Sequence, residues 1–144
     1  MSSQFQQKYN GRFYNALRWE QLDTLWGILK ENNSGWYVYF INHEEVPLAP
    51  LETPEFQIFI EEMNVLLRED HDYDYCGIVY TDSFEHPTMI KIYDPHNLGA
   101  SCGSSGRKIH PRWLLSKTPP EPIEDDALVP NIRKRWWQRI FETT

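Results

Sequence analysis

Cysteine is scarce and long apolar runs are missing. Two cysteines in 144 residues, Cys76 and Cys102, cannot build the disulfide framework of a small secreted domain. Two free thiols suit a reducing cytoplasmic setting, although the sequence leaves a single bridge between them open. The longest apolar run, Trp36 to Ile41, falls far short of the roughly 20 residues that span a bilayer. No transmembrane segment is therefore expected. The opening Met-Ser-Ser-Gln-Phe-Gln-Gln-Lys has no apolar core of the kind a secretory leader carries, so no targeting segment is expected either. Positive charge is also in short supply. Fourteen Lys and Arg against 21 Asp and Glu give a formal charge of −7 and a pI near 5.2. Such a chain is repelled by phosphate backbones, which argues against a nucleic-acid partner.

Cofactor-binding signatures are absent as well. No Gly-Lys-Ser/Thr triplet and no Gly-x-Gly-x-x-Gly after a strand occurs, so no cofactor is expected. Asp70-His71-Asp72-Tyr73-Asp74 begins like a calcium loop. That loop then requires Gly where Tyr75 stands and Glu where Thr81 stands, and the stretch reads instead as a solvated acidic turn. His43-Glu44-Glu45 lacks the second histidine of a zinc-protease helix.

What the chain does have is aromatic surface. Six Trp, eight Tyr and seven Phe, within 40% hydrophobic residues, supply large areas for burial. A disordered chain is poor in such residues. The length suits one domain over 1–144.

Periodicity predicts helices near 14–31, 54–69 and 130–142. In the first, Leu22, Leu25, Trp26 and Leu29 share one face. In the second, Thr53 is the expected cap, Pro54 the first helical residue, and Phe56, Phe59, Ile60, Met63 and Leu67 the apolar stripe. Strands are expected near 36–41, 75–80 and 88–93, with a candidate short edge strand over 112–115. The aromatic and β-branched run at 36–41 has no clean period of two, which suits a strand covered on both faces. Residues 116–126 read as an exposed Pro/acidic linker to the last helix. Incomplete alternation plus a hairpin predicts an α+β fold, a small mixed or antiparallel sheet with helices on one face.

The most unusual stretch is the long Gly/Ser-rich loop over 94–111. Gly99, Gly103 and Gly106 with Ser101, Ser104 and Ser105 surround Cys102, and Arg107 and Lys108 follow. Small residues let backbone N–H groups face an anion, and nearby cations favour the thiolate. Cys102 is thus the candidate nucleophile, with His96 or His110 as its base. Cysteine phosphatases place five residues between Cys and Arg. Cys102 and Arg107 have four between them, so that motif fails. Asp94, His96, Cys102 and His110 are chemically able to bind zinc, yet no close ligand pair anchors them, and no metal residue is assigned. Cys76, inside an expected strand, reads as a small hydrophobe.

The expected function is a small cytoplasmic binding or accessory protein. It would act through an aromatic-rich surface and the 94–113 loop. Arg107, Lys108 and Arg112 are the candidate binding cations, and Trp113, Trp136 and Trp137 the contact anchors. The partner would be a protein or a small anionic ligand. Two alternatives stand beside it: a thiol-dependent enzyme or sulfur-handling protein using Cys102, and a metal site on the same loop. The terminal cations Arg133, Lys134, Arg135 and Arg139 are expected to pair with Glu121, Glu124, Asp125 and Asp126.

Overall fold

A computed structural model of the protein describes residues 3–95, 110–124 and 128–141. Among them the chain forms four helices and five strands, in the order α1 (Gln4–Tyr9), β1 (Tyr14–Asn15), α2 (Trp19–Glu31), β2 (Tyr37–Phe40), α3 (Thr53–Asp70), β3 (Val79–Thr81), β4 (Met89–Ile92), β5 (Trp113–Ser116) and α4 (Asn131–Phe141). This is the expected α+β class. The sheet is antiparallel at every pairing, with strand order β1-β3-β4-β5-β2.

Side-chain alternation sorts the strands into two buried faces. Val38 and Phe40, Ile90 and Ile92, and Trp113 and Leu115 point to the layer built by α2, α3 and α4, where Leu22, Leu25, Leu29, Phe56, Phe59 and Met63 are fully enclosed. Tyr39, Met89 and Leu114 point the other way, onto Phe5 and Tyr9 of α1. Apolar residues on both faces explain why the 36–41 run showed no polar alternation.

Several boundaries differ from expectation for physical reasons. The first long helix starts at Trp19, not at 14. Residues 14–17 are extended and hydrogen-bond to the β3 side, with Tyr14 opposite Thr81 and Asn15 opposite Tyr80, and Cys76 N–H donating to Leu17 C=O at 2.7 Å. The helix begins where the Gln21 side chain accepts from Arg18 N–H at 2.9 Å. The short α1 was not foreseen. It is fixed by a reciprocal cap in which Gln6 N–H donates to Ser3 Oγ at 3.1 Å and Ser3 N–H to Gln6 Oε1 at 3.3 Å. In α3, Glu52 is the cap residue and Thr53 already helical. The expected 75–80 strand is regular only over Val79–Thr81, because Gly77 takes φ +73° and interrupts it. β5 is no edge strand: it lies between β4 and β2. No helix among the described residues is long and apolar enough to cross a membrane.

Candidate functional site

Strand β4 leads into the 94–113 segment and β5 leaves it. Ile92 sits opposite Trp113, and Arg112 N–H donates to Ile92 C=O at 2.9 Å. The two roots of the segment are therefore side by side. Asp94 and Arg112, just inside them, are both buried. Arg112 Nε donates to Asp94 Oδ2 at 3.3 Å, and both side chains are almost solvent-free.

A second guanidinium joins the same carboxylate. From α4, Arg133 Nη2 donates to Asp94 Oδ1 at 2.9 Å and Nε reaches both Asp94 oxygens at 3.2 and 3.3 Å. Arg133 Nη1 donates to Asp70 Oδ2 at 2.6 Å, at the end of α3. Arg112 Nη2 donates to Leu128 C=O at 3.2 Å. Two guanidiniums and two carboxylates give a formally neutral cluster, as a buried ion group requires. Burial alone pushes the Arg133 pKa down. The hydrogen bonds and charges of Asp94 and Asp70 outweigh it, so the group titrates above its ordinary value. The cluster ties the sheet, α3 and α4 together at the base of the segment.

His110 marks the outgoing root on the other face. Its Nδ1 and the Tyr9 hydroxyl share a hydrogen bond of 2.6 Å. Lys91 Nζ lies over the Tyr9 ring at 4.2 Å and the Phe13 ring at 4.1 Å, and donates to Tyr9 C=O at 2.7 Å. Helix α1 is thereby fixed to β4 and to His110.

The sequence-derived site residues fare unequally. His96, Cys102, Arg107 and Lys108 lie outside the described residues. Of the four zinc candidates, Asp94 and His110 are engaged as above, and among the described residues no three His, Cys, Asp or Glu side chains converge. Arg112 is not a free binding cation but half of a buried bridge. The tryptophan anchors need correction too. Trp113 is fully buried and Trp136 nearly so, packed edge to face 5.6 Å apart. Trp137 is half-buried against Phe40 at 4.9 Å and Phe141 at 4.4 Å. Their apolar area sits in the core, where burial is most favourable. Among the described residues the indole N–H of Trp113 has no hydrogen-bond partner.

The terminal cations also differ from expectation. Arg133 pairs with Asp70 of α3 and with Asp94, and Arg139 meets Glu62 of α3 at 3.2 Å; among the described residues neither pairs with Glu121 or Glu124, and Asp125 and Asp126 lie outside them. The 70–74 stretch is only partly a solvated turn, since Asp70 belongs to the ion cluster and His71 is buried, its Nε2 bonded to Cys76 C=O at 2.8 Å. Cys76 is enclosed, and burial pushes its thiol up. No sequence signal marked Asp94, Arg133, Tyr9 and Lys91 as partners; each contact joins distant parts of the chain. No family model, no curated protein and no solved structure matches the chain.

Proposed function

We propose that this chain is a small cytoplasmic binding or accessory protein that meets its partner, a protein or a small anionic ligand, through the 94–113 segment. The observation that carries the reading is the buried Asp94–Arg112 bridge, reinforced by Arg133. It clamps both roots of the segment onto adjacent strands. Connections of more than about 12 to 15 residues between neighbouring strands are uncommon and tend to carry function. Binding residues are often held on loops by a rigid scaffold. The segment's own composition, small residues with Arg107 and Lys108, supports an anionic contact. The acidic balance of the rest disfavours nucleic acid.

The test is a variant with residues 97–108 replaced by Gly-Ser-Gly-Ser. It should keep the wild-type thermal transition while losing the inorganic phosphate or the protein partner that the full chain binds. A variant that binds as the full chain does refutes the reading. Alkylation of Cys102 by iodoacetamide, in the Cys76→Ser background, separates thiol chemistry from binding. A rate that titrates well below the free-thiol value of about 8.5 would replace the binding reading with a thiol-dependent enzyme.

A further inference from the structure

A second surface lies where α3 ends and the chain turns back toward β3. Tyr73 and Tyr75 are 58% and 51% exposed there, yet both rings are held in place. They stack on each other at 5.6 Å with planes 10° apart. Each stands edge-on to the buried His71 ring, at 4.6 and 6.2 Å. The backbone beneath is fixed as well. Trp19 Nε1 donates to Tyr73 C=O at 2.9 Å, and Cys76 and Gly77 N–H donate to Leu17 and Ala16 C=O at 2.7 and 3.1 Å. Gly77 itself makes room for the ring: a Cβ there would lie 3.2 Å from Tyr75 Cδ2.

Exposed rings gain little for folding, since much of their apolar area stays in water. Rings that are exposed and also rigid are a ready contact surface, because little conformational freedom is lost when a partner arrives. Tyr75 borders an open cleft of about 460 Å³ together with Leu17, Arg18, Glu20 and Asp74. Among the described residues neither Glu20 nor Asp74 pairs with a cation. Among the described residues that line it, Arg18 is the one positive side chain. Beside the cleft, the Trp19 face is already taken by Arg68, 4.8 Å from the ring. Aromatic faces carry negative potential and attract cations, and recognition of methylated ammonium groups is a recurring use of that attraction. Two carboxylates on the same wall add to that attraction and repel anions.

We infer that the Tyr73–Tyr75 platform and its cleft are a docking site for a lysine or methyl-lysine side chain carried by a partner polypeptide. The site shares no residue with the 94–113 segment and stands or falls independently of it. The probes are tetramethylammonium chloride and Nα-acetyl-lysine methylamide, titrated into the ¹⁵N-labelled full chain, with uncharged tert-butanol as the shape control. Saturable shifts of amides at 17–20 and 73–77 are expected with both cations and not with tert-butanol. Asp74→Asn and Tyr75→Ala should each weaken the cations roughly fivefold, the order expected for one exposed cation–π or carboxylate contact, with the thermal transition retained in Asp74→Asn. The variant lacking 97–108 should bind the probes as the full chain does. Shifts that fail to saturate by about 100 mM, equal shifts with tert-butanol, or unchanged affinity in both variants would overturn the inference.

Discussion

Replacing Asp94 by Asn removes the carboxylate that two buried guanidiniums share. Among the described residues Arg112 then keeps a carbonyl contact to Leu128, and Arg133 keeps the Asp70 carboxylate. An asparagine is nearly isosteric, so the loss is one of charge and not of packing. Removing one partner of a buried ion pair costs about 3 to 5 kcal/mol, because the charge left behind stays desolvated. Against a whole stability of about 5 to 15 kcal/mol, that is a large fraction. With a urea slope of roughly 2 kcal/mol per molar, the midpoint should fall by about 2 M. Asp70 offers an internal comparison. Its side chain is 27% exposed, so solvent rehydrates the site when it becomes Asn, and the expected loss is about 1 kcal/mol. Paired urea melts of the two variants measure the difference directly. If Asp94→Asn loses less than about 1 kcal/mol, or no more than Asp70→Asn, the buried cluster does not hold the segment's roots and the scaffold argument fails.

Two further outcomes follow from buried groups. Burial holds the Cys76 thiol and the Tyr93 phenol above their ordinary values. Above pH 9 the unfolded chain therefore releases protons that the folded chain retains, so stability falls as pH rises; Cys76→Ala should flatten the first part of that fall in urea melts run across the alkaline range. Trp113→Phe removes a fully buried indole N–H that lacks a partner among the described residues. Relief of that desolvation, worth about 1 to 3 kcal/mol, should offset much of the lost volume and leave the melt within about 1 kcal/mol of wild type. Leu115→Ala in the same strand has no such relief and should lose about 2 to 5 kcal/mol. A Trp113→Phe loss as large as that of Leu115→Ala would mean the indole N–H is satisfied after all.

Helices α2, α3 and α4 were legible because their apolar residues recur at a helical period. Leu22, Leu25, Trp26 and Leu29 face the core as that pattern requires. Strand β2 was legible from its aromatic and β-branched composition. The limits were different in kind. A six-residue helix such as α1 leaves only a capping pattern, Ser3 with Gln6, to find it by. Composition alone cannot say whether Trp113 and Trp136 point inward, since an aromatic suits a core and an interface equally well. Arg133 looks the same in sequence whether it meets a neighbour in the linker or Asp94, 39 residues away. Strand order is likewise non-local: nothing near 113–116 states that it will separate β4 from β2. The candidate site depended almost wholly on such distant pairings, and so its base emerged only from the fold.

The place of β5 has a consequence for how the chain is made. Among the described residues β2 pairs with no strand but β5, which emerges from the ribosome roughly seventy residues later, about 4 to 15 seconds at ordinary synthesis rates. Until then Tyr37–Phe40 is an aromatic strand with an open ladder on both sides, the kind of segment that seeds aggregation. Helices α2 and α3 are complete long before β5 and offer Val38 and Phe40 an early apolar shelter. A nascent chain stalled between β4 and β5 should therefore engage holdase chaperones through this strand, and release them once Trp113–Ser116 has entered the sheet.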